Sequence, residues 1–241
     1  MCFSVNVNLV KEEIEDRYGV IFPDKYRYEP SYYYHAFGLP ELPAICSDNT
    51  GEAHLLRWGL IPSWIRTKDD ADKIKFRTFN ARAESISSKP SFSLSFKSKH
   101  CIIPVKGFFE WQHMGSEKIP WYIYSPENEI FTLAGLYSDW TDPEDGIINR
   151  TFSIITTDAN DLMAEIHNSK KRMPVVLRAE DEKKWLDLSL PEDVTLEMLK
   201  PCPSDSLKAH TVSPLINDRN ASKNTPEIIK EYYRDTDQKL F

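Results

Sequence analysis

A cysteine stands second in this chain, in Met1-Cys2-Phe3-Ser4-Val5-Asn6-Val7. Once an initiator methionine is removed, such a residue carries a free α-amine and a thiol two carbons apart, a pair that closes on an aldehyde. The amine forms a Schiff base and the thiolate adds to the same carbon, giving a five-membered thiazolidine. Reference pKa values of about 7.7–8.0 for the amine and about 8.5 for the thiol leave both groups partly nucleophilic at neutral pH. The plainer reading makes Cys2 the accidental lead residue of a short strand, so partners elsewhere in the chain decide between the two. Glu110, set between Phe109 and Trp111 in an apolar run, is either turned to solvent by strand alternation or desolvated, with a raised pKa, and able to donate a proton. His167, next to Lys170-Lys171-Arg172, is either a capping residue at a helix end or a general acid or base beside a phosphate.

The elements that must hold these groups are legible from their periodicity. Residues 3–8 alternate apolar and polar, placing Cys2 at the tip of a strand that feeds a helical pattern over 9–18. Residues 22–50, rich in Pro and Tyr, read as irregular connections with one strand at 33–37. A strand from Ala53 runs into the turn Gly59-Leu60-Ile61-Pro62-Ser63-Trp64, where Trp64 is either a core plug or an exposed ring able to stack on a base. A helical stretch over 91–99 precedes the strand-like run 101–111, and further strands are predicted at 121–124, 131–137, 151–156 and 175–177. Short spacing between them implies antiparallel pairing in a curved sheet or barrel. Helices are predicted at 158–166, 180–188 (with Trp185 and Leu186 inward), 195–200 and 226–234, and a strand at 208–212. Nothing from Pro191 onward suggests chemistry.

The totals bound the rest. With 241 residues, 41% hydrophobic and 12% aromatic, the chain has ample core and is not disordered. It has no secretory signal and no apolar run near the ~18 residues of a membrane helix, so a cytoplasmic protein with no membrane association is expected. Cys2, Cys46, Cys101 and Cys202 lie far apart without Cys/His ligand spacing, and no Gly-rich phosphate loop occurs; no metal and no cofactor are expected. Net charge is −7, yet residues 66–106 carry ten basic and four acidic side chains, a local +6. That asymmetry points to an anionic ligand on one face or to a lysine-rich solvated loop.

Several motifs then coincide: Cys2, Trp58-Gly59-Leu60-Ile61-Pro62-Ser63-Trp64, Phe79-Asn80-Ala81-Arg82-Ala83-Glu84, Cys101 to Pro104 leading to Gly107-Phe108-Phe109-Glu110-Trp111, and His167 followed by Arg172-Met173-Pro174-Val175-Val176-Leu177. In this order they closely resemble the SOS response-associated peptidase (SRAP) family of abasic-site processing proteins. The resemblance implies a single α+β domain over residues 1–241, with a curved antiparallel, barrel-like sheet and peripheral helices. Its motif-bearing part is 2–177 and its accessory part 178–241. It further implies a monomer that captures abasic sites in single-stranded DNA, with Cys2 as nucleophile, Asn80 holding the amine or sugar, Glu110 shuttling protons and His167 assisting sugar-ring opening or a lyase step. Arg82, Trp64, Arg172 and Lys171 would contact DNA. The alternatives are a cysteine peptidase acting on peptides or on its own leader, and a non-catalytic single-stranded DNA-binding module. The chain departs from the family pattern at Phe3-Ser4, where Gly-Arg is common, and in the four residues between His167 and Arg172, which put Lys170 or Lys171 forward for the phosphate of Arg172.

Overall fold

The computed structural model describes residues 2–233; Met1, whose removal the amine chemistry requires, and Arg234, the expected end of the last helix, lie outside them. The alternating N-terminal stretch forms β1 (Ser4–Val7), and Gly19, at φ +66, ends the following helix α1 (Lys11–Tyr18) in the left-handed conformation that glycine adopts without cost. The Pro/Tyr-rich segment holds two strands rather than one. They are β2 (Ser31–His35) and β3 (Glu41–Cys46), the second paired with β4 (Asn49–Trp58), and burial of Leu42 to Cys46 outweighs the strand-breaking tendency of Pro43.

After β4 come α2 (Lys68–Ile74), the three-residue strand β5 (Asn80–Arg82) and α3 (Ser93–Ser98). The apolar run expected as one strand is two: β6 (His100–Val105) and β7 (Gly107–Met114), which turn into different sheets at Lys106. Gly107 permits that close passage, since a Cβ there would lie 2.4 Å from the Tyr122 ring. The chain continues through β8 (Glu117–Tyr124), β9 (Phe131–Thr141), β10 (Ile148–Asp158) and α4 (Asp161–Ile166). Next are β11 (Arg172–Pro174), β12 (Val176–Leu177), α5 (Ala179–Leu186), α6 (Glu192–Glu197) and β13 (Lys208–Thr211). The expected inward pair of α5, Trp185 and Leu186, is buried.

Five strands close a barrel, β4–β3–β6–β9–β10 and back to β4, with β5, β11 and β12 attached at its margins. Most pairings are antiparallel as expected, but β10 runs parallel to β4 and to β5, because long connections bring those strands back in the same direction. A second, wholly antiparallel sheet runs β13–β8–β7–β1–β2. The fold is α+β with peripheral helices. β1 is buried on both faces: Val5 and Val7 join the central core, while Ser4 bonds Tyr33 and Asn6 bonds Tyr122 on the other face. Residues 208–229 wrap that second face, where Val212, Ile216 and Ile228 pack with Phe109 and Tyr122.

Candidate active site

The two sheets meet at the start of β1, and Cys2 lies in the joint, fully buried in the central core, with its Sγ 4.0 Å from the Ser4 carbonyl. Burial pushes the thiol well above the ordinary cysteine range, and the neighbouring Glu110 carboxylate pushes the same way. Asn80 opens β5 directly beside it and donates from Nδ2 to the Cys2 carbonyl at 2.9 Å. The segment before Asn80 is held by Trp58 Nε1 donating to Phe79 O at 2.9 Å and Thr78 Oγ1 donating to Leu60 O at 2.6 Å. Asn80 Oδ1 is buried, and no described residue donates to it, so it is an acceptor held ready in the joint.

Strand alternation decides Glu110. In β7, Phe108 faces the central core and Phe109 the outer cluster, so Glu110 shares the inward face of Phe108 and is only 4% exposed. The solvent-facing alternative is therefore excluded. Burial raises its pKa from 4.5 to about 7, which makes it both donor and acceptor at neutral pH.

His167 is the C-terminal residue of the α4 turn, and it is buried. Nδ1 lies 2.8 Å from the Arg172 carbonyl and 3.3 Å from the Arg172 N–H; the shorter contact, to a group that only accepts, assigns the proton to Nδ1 and turns the unprotonated Nε2 toward Glu110. Nε2 is 3.9 Å from Glu110 Oε2. Burial lowers the His167 pKa to about 4, so the imidazole is neutral at pH 7 and complements a Glu110 that is half protonated there.

Two clamps fix that separation. The Asn168 amide makes a paired contact with the His113 backbone on β7, accepting from His113 N at 3.0 Å and donating to its carbonyl at 2.9 Å. One turn earlier, Gln112 Nε2 donates to the Glu165 carbonyl at 3.1 Å. Glu110 and His167 are thus tied through neighbours on both strands of chain. Asn168, which reads in the sequence as a spacer before Arg172, is the part of the site that sequence reasoning missed; an amide directly after the histidine is the one local signal for it.

The expected DNA contacts separate into two groups. Arg172 is buried, and its guanidinium is committed: both terminal nitrogens bond Glu84, at 2.9 and 2.8 Å, and they also reach Asp158 at 2.9 Å and the Thr156 carbonyl at 2.8 Å. Those bonds tie β11 to β10 and to the turn after β5, and they engage the terminal nitrogens expected to meet a phosphate with carboxylates and a carbonyl of the chain itself. Arg82, two residues beyond Asn80, is exposed, as is Lys171, which closes the turn after His167 at φ +50. Trp64 is 50% exposed, with Nε1 donating to Pro90 O at 3.2 Å, and is not a core plug. Among the described residues no group of His, Cys, Asp and Glu is placed to hold a metal ion, and no helix is long and apolar enough to cross a membrane.

The fold thus brings Asn80 against the Cys2 carbonyl and sets His167 Nε2 3.9 Å from Glu110 Oε2. Residues 1–219 match the family model of the SOS response associated peptidase (SRAP) family. This chain belongs to the SRAP family. It is 41% identical over 179 residues to the abasic site processing protein YoqW of Bacillus subtilis, covering 73% of this chain and 75% of that one. To YoaM of the same organism, also described as an abasic site processing protein, it is 36% identical over 234 residues, 95% and 97% of the two chains. A crystal structure of a protein from Bacteroides thetaiotaomicron shares the fold with a TM-score of 0.92 and 38% identity, covering 96% of this chain and all of that one. The SRAP match thus extends past Leu177 into the part that carries β13.

Proposed function

We infer that this SRAP protein processes abasic sites by cross-linking itself to them in single-stranded DNA through Cys2, after loss of Met1. One observation carries the reading: Cys2 is seated against Asn80 in a closed joint beside Glu110, a buried carboxyl that titrates near neutrality. The Cys2 amine bonds C1′ of the ring-opened sugar and the aldehyde oxygen takes up a proton, giving a carbinolamine. Glu110 in its acid form donates to that hydroxyl, which leaves as water as the C=N bond forms. The sulfur then bonds the same carbon, its proton returns to the Glu110 carboxylate, and the C=N electron pair goes back to nitrogen. One water is lost in all, and Glu110 ends as it began.

A thiol held protonated by burial is a poor nucleophile until a base takes its proton, and Glu110 is within electrostatic reach to do so. The same protonated thiol argues against a general cysteine peptidase, which works through a standing thiolate. Asn80 Oδ1 supports the amine or sugar hydroxyl, and neutral His167 takes the proton of the C1′ hydroxyl as the C1′–O4′ bond breaks and delivers it to O4′, so the ring opens to the aldehyde with no net proton change. Arg82, Lys171 and Trp64 are the exposed groups disposed toward phosphates and a flanking base. An abasic nucleotide presents no base, which suits a joint without a base-reading pocket. The test is incubation of the mature protein with single-stranded DNA carrying one abasic site. A heat-stable adduct is expected with the summed intact mass less one water, and none with Cys2→Ala. Equal adduct from both proteins overturns the reading.

A further inference from the structure

Phe3 follows Cys2 and Phe79 precedes Asn80, and the two rings meet edge to face at 6.2 Å. From them a row of rings leads outward along the edge strand β2. Phe37 lies 5.6 Å from Phe3 and 5.0 Å from Phe79, His35 lies 5.6 Å from Phe37, and Tyr33 stacks on His35 at 6.0 Å with planes 16° apart. The row ends in a cation, with Lys223 Nζ 5.3 Å from the centre of the Tyr33 ring. Phe37 is 55% exposed and His35 is exposed as well, so the row forms a surface rather than a core.

His35 and Tyr33 are fixed to the segment that follows Cys2 by hydrogen bonds. His35 Nδ1–H points at the Phe3 carbonyl at 3.0 Å and the Ser4 hydroxyl at 2.9 Å, and Ser4 Oγ donates to Tyr33 OH at 3.1 Å. The partial cover of the His35 ring by its neighbours, with the Lys223 charge adding to it, holds His35 below the usual histidine range, so at neutral pH its ring is uncharged and stacks as the others do. An exposed aromatic row is costly in water unless something covers it. Aromatic faces with a cation at the end and no array of base-edge donors fit a single strand of any sequence, whose bases stack while its phosphates meet the charge.

We propose that the row Phe37–His35–Tyr33 with Lys223 is a binding track for the single-stranded DNA that flanks the abasic nucleotide. It rests on the cross-linking reading above, and it adds a contact from outside the SRAP match, which ends at residue 219. The track begins at Phe3 and Phe79, the chain neighbours of Cys2 and Asn80, so bases beside the captured sugar lie over Phe37 and the next phosphates meet Lys223.

Anisotropy of a labelled mixed-sequence single-stranded oligonucleotide without an abasic site, read at about 50 and 200 mM salt, tests this with the full chain. Phe37→Ala is expected to weaken binding about 5-fold or more. Phe37→Trp should hold the affinity and Phe37→Leu should lose it, a pattern that follows stacking and not apolar packing. Lys223→Ala should weaken binding and reduce the slope of log affinity against log salt by about 0.7. Wild-type binding with unchanged affinity and slope in these variants, at unchanged melting temperature, overturns the track and leaves the cross-linking reading standing. A shift in elution volume for Phe37→Ala without loss of DNA affinity also overturns it, in favour of self-association. If wild type itself neither binds the strand nor forms an adduct on abasic DNA, the cross-linking reading falls and the track with it.

Discussion

Replacing Glu110 by Gln is expected to stabilise the protein at alkaline pH while removing its adduct-forming activity. In the fold the carboxyl titrates near about 7, against 4.5 for an ordinary glutamate. Each pH unit between those values is worth about 1.4 kcal/mol, so ionising Glu110 inside the protein costs about 3 kcal/mol more than ionising it in an unfolded chain. The sign follows from proton counts. Between pH 4.5 and 7 the native state holds a proton that the unfolded state has lost, so the Glu110 contribution is present below 4.5 and disappears as pH rises through 7. Gln cannot ionise, so the stability of Glu110→Gln relative to wild type should climb by about 3 kcal/mol from pH 4.5 to pH 8. His167 works in the opposite direction: with its pKa lowered from 6.5 to about 4, it costs stability as pH falls from 6.5 to 4. The two slopes nearly cancel in wild type, and Glu110→Gln unmasks the histidine. Urea unfolding of both proteins at pH 4.5, 5.5, 6.5 and 8 reads the difference directly, free of groups the two share. A stability difference that stays constant across this range would refute the desolvated carboxyl, and with it the proton-shuttle role.

Asn168→Ala removes both contacts to the His113 backbone, and because those groups regain water the stability loss should be only about 1 kcal/mol. The adduct rate should fall about 10-fold or more, because Glu110 and His167 lose their fixed separation. The pH profile should also move toward acid as water reaches Glu110; a profile identical to wild type would make Asn168 merely structural. Arg172→Ala should cost about 2–3 kcal/mol by urea unfolding, less than for a fully buried pair because Glu84 and Asp158 are 51% and 86% exposed and re-solvate. Since its guanidinium is committed to those carboxylates, the salt slope of single-stranded DNA binding should not change, whereas Arg82→Ala should lower it by about 0.7. A fall in the Arg172→Ala slope as large as that for Arg82→Ala would return Arg172 to the DNA.

Local pattern fixed most of the elements of this protein and the identity of its chemical groups. The alternation of residues 3–8 and the helix before His167 are short-range signals, and each produced the element expected of it. Cys2, Glu110 and His167 stood out as candidates because each carries a reactive group in a distinctive local run, whereas Asn80 was put forward only by the resemblance to the SRAP family. What the local pattern could not supply was which groups meet. The 101–111 run looks continuous, yet Gly107 sends its halves into two sheets, and only that division turns Glu110 inward between them. The parallel pairing of β5 with β10, over a long separation in sequence, is what carries Asn80 to Cys2. Arg172 and Asn168 make the same point in opposite senses: a cation apparently free for phosphate is neutralised by Glu84 and Asp158, and a spacer residue is a clamp. Charge, type and spacing are properties of the chain, but burial, and hence a pKa near 7 or near 4, belongs to neighbours that only the folded topology brings together.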